Sequence, residues 1–330
     1  MEVFYGDTAV PTGFGPSVVG VGNFDGVHCG HRAILARLIA EARAGGMRAV
    51  AITFDPHPLQ LLRPADCPPM ITPLPERLAL LAETGLDATL VIPFTAEFSR
   101  RSARDFAETV LAQALHAKCV HEGDNFRFGY QAQAGIEDLR RLGLELGFTV
   151  VAHSVLHHRG LAVSSSQVRE LIAAGAVSLA RALLGRPFSI LSTPAQGRGI
   201  GAKLLVPTIN LAPYSALKPD DGVYVTRVKV GAEDAARSFA AVTNAGNRPT
   251  FGEDSYAIES YLLDYVPDVA PLELTPETPL ELSFLARLRA ERRFDSPAAL
   301  KQQIGLDVAR ALRYHALAAG LAQAETSPAR

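Results

Sequence analysis

The chain has no tryptophan, only three methionines and only three cysteines among its 330 residues. Cys29, Cys67 and Cys119 are odd in number and scattered without framework spacing, which excludes a disulfide scaffold and points to a reducing compartment. Long apolar runs are missing too: no stretch of about eighteen such residues could span a bilayer. The start Met1-Glu2-Val3-Phe4-Tyr5-Gly6-Asp7 lacks the charged-then-apolar profile of a secretion signal, so a soluble, cytoplasmic protein without a membrane partner is expected. Nor is charge of one sign in excess. With 32 Lys and Arg against 34 Asp and Glu, a general nucleic-acid binder is disfavoured for want of a basic face. Arg287, Arg289, Arg292 and Arg293, interrupted by Glu291 and backed by Leu285 and Leu288, read as a solvated helix face. The ordinary 48% hydrophobic content over this length suffices for two domains with separate cores.

One stretch carries the chemistry. Val18-Val19-Gly20-Val21 reads as a buried strand, breaks at Gly22 and Gly26, and passes at Arg32 into the helical pattern Ala33-Ile34-Leu35-Ala36-Arg37-Leu38-Ile39. In a strand, glycine turn and helix, the first helical N–H groups face a ligand above the sheet, and glycine lets an anion approach the backbone. Gly22, Asn23, Phe24 and Gly30 are therefore candidate ATP contacts. His28 and His31 sit where a triphosphate would lie, and an imidazole can donate to phosphate oxygens as charge builds. A zinc site built with Cys29 is disfavoured, because no second ligand pair stands at the required spacing.

Further along, Met47 to Phe54 reads as a second buried strand that ends in Asp55-Pro56-His57-Pro58, at the strand end where open α/β sheets bind ligands. A helix over 76–83, a strand over 88–93, a helix capped by Ser102 and reaching His116, and a strand over 118–121 follow. This alternation predicts a doubly wound, Rossmann-like parallel sheet. Asn125-Phe126-Arg127-Phe128-Gly129 then offers aromatic rings to stack and an arginine to fork onto phosphate. His153, His157 and His158 are discounted as metal ligands, since no carboxylate or thiol stands near them in sequence. Ser164, Ser165 and Ser166 precede a helix that carries Arg169 in its first turn, an anion cradle; a plain serine cap would account for one hydroxyl and leave two.

Beyond about residue 185 short strands replace helices: 188–191, 222–230, 238–243 and 256–263. They predict a small antiparallel barrel, closed by a terminal helix from Ser296 to about Leu321. Gly197 and Gly201 lie in a glycine-rich turn, and Thr208 and Asn210 offer hard oxygen ligands suited to Mg²⁺. Glu259 in its strand is either a solvent-facing charge or a general base.

Taken together, Gly-Asn-Phe-Asp-Gly-Val-His-x-Gly-His, Asp-Asn-Phe-Arg-Phe-Gly, Ser-Ser-Ser-x-x-Arg, Pro-Thr-x-Asn and Asn-x-Gly-x-x-Pro-Thr-Phe resemble, in order, the motifs of the prokaryotic bifunctional riboflavin kinase/FAD synthetase family. The likeness runs from about Val18 to Asp307. It implies a nucleotidyltransferase domain over 1–185, a Greek-key barrel over 186–323 and a tail over 324–330. It also implies ATP as co-substrate, Mg²⁺ as cofactor, and riboflavin, FMN and FAD as ligands, with self-association left open. By the resemblance His28, His31 and Arg169 stabilise phosphate charge, Ser165 and Ser166 steer the phosphates, and Ser164 is a further ATP contact. Asp55, His57, Pro58, Asn125 and Arg127 hold flavin nucleotide, Thr208 and Asn210 hold Mg²⁺, and Glu259 takes the proton of the ribityl hydroxyl. Two departures stand out: Leu205-Val206 replace the family's Gly-Phe before Pro-Thr, and Val266-Pro267-Asp268-Val269 stand where Asp-Leu-Tyr-Gly is usual. The alternative they leave open is an adenylyltransferase whose barrel binds flavin without turning it over.

Overall fold

The computed structural model describes residues 1–195, 208–232, 235–247, 256–263, 265–266 and 271–326. It divides into two compact units, Met1–Val168 and Arg169–Arg330.

The first unit holds β1 (Glu2–Tyr5), β2 (Ser17–Val21), α1 (Cys29–Ala44), β3 (Arg48–Asp55), α2 (Pro58–Leu62), α3 (Leu74–Ala82), β4 (Ala88–Pro93) and α4 (Ala103–Asp105). After these come β5 (Ala117–Gly123), α5 (Ile136–Leu146), β6 (Thr149–His153) and the small hairpin β7 (His157–His158) and β8 (Leu161–Ala162). The six longer strands form one sheet in the order β1-β4-β3-β2-β5-β6, every pair parallel. All five residues of β2 are buried, because both faces of a parallel sheet are covered. Val19, Val50, Ile52, Leu90 and Val110 pack on one face, and Val18, Leu35, Leu38, Ala49 and Leu81 on the other. The chain leaves β2 toward β3 and β4, then returns to place β5 on its other side. The strand order therefore reverses between β2 and β5, and a crevice opens at their carboxyl ends.

Two elements differ from expectation. The first strand, β1, is a four-residue edge strand with no buried residue, too short and too exposed to show in a hydrophobic pattern. The helix after Ser102 is α-helical only to Asp105 and continues as a π-helix over Phe106–Ala114. Ser102 caps it as expected, its Oγ accepting the Asp105 N–H at 3.0 Å.

α6 (Ser165–Ala173) joins the two units. The second unit contains α7 (Val177–Leu184), β9 (Phe188–Ser192), β10 (Thr208–Asn210), β11 (Gly222–Val230), β12 (Arg237–Asn247), β13 (Tyr256–Leu262), β14 (Leu280–Ala290) and α8 (Pro297–Thr326). Its strands form an antiparallel sheet in the order β10-β13-β12-β11-β14-β9. The sheet curls until its edges meet: Pro194 bridges Leu211, the Ala195 N–H donates to the Asn210 carbonyl at 2.8 Å, and the Ala212 N–H donates to the Thr193 carbonyl at 2.8 Å. Its concave face buries Phe188, Ile190, Tyr224, Leu282 and Phe284 together with three hydroxyls. Thr226, Thr243 and Ser260 link side by side at 2.7 and 2.8 Å, so no buried hydroxyl of the row lacks a partner. On the convex face, α8 seats Ala311 against Val223, Val225, Val242 and Leu285.

The arginine cluster is not a helix face. Arg287 and Arg289 lie on β14, where Arg287 donates to the Asp221 carbonyl and the Asp220 carboxylate, each at 2.6 Å. Arg289 pairs with the buried Asp307 of α8 at 2.9 Å. Two register shifts in the β11 to β14 pairing break the period of two, which is why the apolar spacing here imitates a helix.

Candidate active sites

In the first unit a cavity of about 470 Å³ occupies the crevice at the strand-order reversal. Its walls include Val21 and Gly22 from the end of β2, His28 and His31 from the start of α1, and Glu122 and Asn125 after β5. The turn between β2 and α1 is wound tightly: Phe24, Gly26 and Val27 all have positive φ, at 48°, 83° and 38°. Non-glycine residues keep such angles only when the surroundings impose them. Here Asp25, 1% exposed, accepts the backbone N–H groups of Ile71 and Thr72 at 3.0 and 2.9 Å, while Thr72 Oγ1 accepts the Gly26 N–H at 2.9 Å. The Asn23 carbonyl accepts from Thr53 Oγ1 at 3.1 Å and from Arg77 at 2.7 Å. Arg77 is fully buried in α3. Burial pulls its guanidinium downward in pKa, and Asp25 and Asp55 oppose that pull. Neither the Asp25 clamp nor the Arg77 prop was visible as a site feature, because each joins segments about fifty positions apart.

His28 is the residue before the first turn of α1, and its Nδ1 accepts the His31 N–H at 3.2 Å. A backbone N–H can only donate, so neutral His28 carries its proton on Nε2. The two imidazoles stack at 3.6 Å and 14°. Burial, and then the neighbouring His28 charge, hold His31 well below the usual histidine range, so it is neutral at physiological pH. His31 Nδ1 is buried without a hydrogen-bond partner among the described residues, as a group kept for a ligand would be. Gly30 permits the arrangement: a Cβ there would lie 3.1 Å from the His28 ring and 3.2 Å from the Val163 carbonyl.

The cavity gathers Gly22, Phe24, His28, Gly30, His31, Asn125, Ser164 and Ser165 from the expected set. Asn23 and His57 stand beside each other, Asn23 Nδ2 at 3.1 Å from His57 Nε2, and neither lines the cavity. Asp55 and Pro58 flank His57, Asp55 exposed and Pro58 half-buried, and Arg127 is exposed outside the cavity wall. The serines divide their work, contrary to a cradle of three. Ser164 caps α6 by accepting the Gln167 N–H at 3.2 Å, Ser165 donates to the Asp25 carbonyl at 2.9 Å, and Ser166 is exposed and off the wall. A helix turns successive residues by about 100°, so three adjacent hydroxyls cannot share one direction. Arg169 is half-buried one turn further along α6 and is engaged in an interaction.

Glu122 was not foreseen. It sits 4% exposed in the cavity wall, and its Oε1 accepts the Val21 N–H, joining the two strands that flank the crevice. Burial drives its pKa well above the usual carboxylate range, against the pull of the Val21 and Gly123 N–H groups. The discounted His153 stands next to a cluster that the sequence did not show. His153 lies 3.0 Å from His121, which lies 2.8 Å from Glu41, with Cys119 two residues earlier on β5. A thiol and a carboxylate distant in sequence thus come within reach, whereas His157 and His158 are exposed.

In the second unit the strand register aligns Asn210, Glu259 and Asn244 across β10, β13 and β12. Thr208 shares their face two residues from Asn210, on the side of the sheet opposite the buried hydroxyl row. Glu259 is half-buried with an amide on either side, which is neither the open edge of a sheet nor its core. Gly197, Gly201, Leu205, Val206 and the 248–251 segment lie outside the described residues.

Comparison with known proteins now decides the family. Residues 12–167 match the family model described as FAD synthetase, and residues 184–315 match that described as riboflavin kinase. A bifunctional riboflavin kinase/FMN adenylyltransferase of Pseudomonas fluorescens is 36% identical over 295 residues, covering 89% of this chain and 91% of the relative. The chain belongs to this bifunctional family. A relative of the same description in Escherichia coli (strain K12) is 33% identical over 290 residues, covering 88% of this chain and 90% of its own. Among solved structures, that of a macrolide-efflux protein from Streptococcus pneumoniae superposes with a TM-score of 0.80 at 25% identity, over 93% of this chain and 97% of that one. Among the described residues no helix is long and apolar enough to cross a membrane.

Proposed function

We propose that the chain makes FAD in two steps in the cytoplasm, with ATP as co-substrate in each: riboflavin is phosphorylated to FMN at the second unit, and FMN is adenylylated to FAD and pyrophosphate at the first. The observation that carries this reading is the tandem match of the two enzyme families, each to a unit with a site-like arrangement of its own.

For adenylylation, an FMN phosphate oxygen attacks the α-phosphorus of ATP and pyrophosphate leaves. The attacking group is already an anion, so no general base is required, and catalysis reduces to positioning and charge stabilisation. His28 presents Nε2–H and His31 a neutral imidazole toward the phosphates, where fixed dipoles in a partly enclosed cavity outperform water. The α1 N-terminus adds its own N–H groups. By the family resemblance Arg169 assists them, and Asn125 and Arg127 hold the flavin nucleotide.

For phosphorylation, the ribityl hydroxyl must lose a proton as it attacks the γ-phosphorus. Glu259 would accept it, with Asn210 and Asn244 fixing the carboxylate from both sides. Thr208 and Asn210 would hold Mg²⁺: their hydroxyl and amide oxygens on one strand face are a donor set that suits a hard cation. The ion, when bound, neutralises phosphate charge.

A chromatographic time course of purified protein with riboflavin and Mg-ATP tests the reading, with FMN expected first and FAD after it. Riboflavin left untouched while added FMN becomes FAD would reduce the second unit to a flavin-binding module.

A further inference from the structure

At the cavity wall, to which His121 belongs, α1 packs across β5, and three potential ligands from these two elements converge. Cys119 and His121 are two residues apart on β5 and so point to the same face of the sheet, toward Glu41 in the penultimate turn of α1. Cys119 Sγ, a His121 ring nitrogen and a Glu41 carboxylate oxygen all lie within 4.8 Å of one another, and His121 Nε2 is the nitrogen 2.8 Å from Glu41. Cys119 is 2% and His121 3% exposed, whereas the Glu41 side chain is 41% exposed, so the group has a dry floor and one open side. His121 is also held from behind: its Nδ1 lies 3.0 Å from His153 Nε2, the outer contact that fixes ring orientation in metal sites.

We infer that Glu41, Cys119 and His121 form a site for a thiophilic divalent cation of the zinc class, with solvent as the fourth ligand on the Glu41 side. The charge balance favours such an ion, since one thiolate, one carboxylate and one neutral imidazole cancel a double positive charge. Hence the buried part of the site carries no net charge when filled. The donor set also selects the ion. One sulfur and one nitrogen among three ligands suit Zn²⁺ or Co²⁺ and disfavour Mg²⁺, which demands oxygen.

Without metal the imidazole bonds to Glu41, its Nε2 lying 2.8 Å from the carboxylate, and the Cys119 thiol is buried beside them. Burial keeps that thiol protonated, its pKa pushed up to about 11. On coordination the Cys119 proton leaves to solvent, and the His121 ring proton sits on Nδ1 facing His153 Nε2. His153 must then carry its own proton on Nδ1, the atom that now lies 3.1 Å from the Arg37 guanidinium. Two donors cannot share that contact, so Arg37, an exposed residue in the cavity wall, is released. Filling the site therefore alters the nucleotide cavity as well as pinning α1 to β5.

The test is a Co²⁺ titration of the full-length protein after chelator treatment, read by absorption. A thiolate-to-cobalt charge-transfer band with tetrahedral visible bands, saturating at one equivalent, is expected. The band should survive the double substitution Cys29→Ser/Cys67→Ser and vanish in Cys119→Ser. His153→Ala, which leaves all three ligands in place, should weaken binding by on the order of tenfold. Circular dichroism of each variant separates lost metal from lost fold. No band in the unsubstituted protein, or one that persists in folded Cys119→Ser, overturns the site. So does a band lost only in Cys29→Ser/Cys67→Ser.

Discussion

At the scale of single residues, Glu122 shows how burial rather than sequence neighbourhood sets a group's state. A carboxylate on a sequence map looks charged, yet burial in the cavity wall raises this one's pKa well above the usual carboxylate range, against the pull of the Val21 and Gly123 N–H groups. Its folded pKa is raised, so the folded form holds the proton to higher pH than the unfolded chain, which loses it above the ordinary glutamate value of 4.5. Stability from this group is therefore full below that pH and declines as pH rises toward the folded value, by about 1.4 kcal/mol for each unit between the two. Glu122→Gln keeps the acceptor for Val21 and removes the ionisation. We expect urea midpoints of the variant and the parent to coincide near pH 4.5 and the variant to become the more stable as pH rises to 8. Equal pH slopes would mean that Glu122 is ionised in the fold.

Elements place such residues by close backbone approach. The start of α1 brings the His28 ring and the Val163 carbonyl against Gly30, so glycine is required there for space, not for an unusual backbone angle. Gly30→Ala gains about 1 kcal/mol of helix propensity, while the new methyl pushes His28 by a few tenths of an ångström. Adenylylation should fall by on the order of tenfold with the melting temperature little changed; unaltered FAD formation would show that His28 has no exacting position. β14 teaches the converse. Its two register shifts disguise a strand as a helix in the sequence, and the Arg287 and Arg289 pairs to Asp220 and Asp307 only make sense once the sheet is formed.

For the whole molecule, two units with separate cores predict two separable chemistries. His28→Ala should abolish FAD formation from FMN and leave FMN formation from riboflavin within about twofold, and Glu259→Ala should do the reverse. Initial rates of each half-reaction check this, and equal loss of both in either variant would sink the assignment of two sites.

The sequence by itself determined the alternation of strands and helices from β2 to β6, the glycine turn that leads into α1, the two histidines and the polar residues of β10 and β13, because these depend on local spacing and strand period. It also carried the family, through motifs that are short and contiguous. Tertiary structure alone decided which groups share an environment. The Asp25 clamp, the Arg77 prop, the Glu122 tie to Val21 and the convergence of Glu41, Cys119 and His121 each unite segments far apart in the chain. It also decided that one serine caps α6, one ties the turn and one faces away. Their states follow from burial and contact, and neither quantity exists until the sheet has brought its strands together.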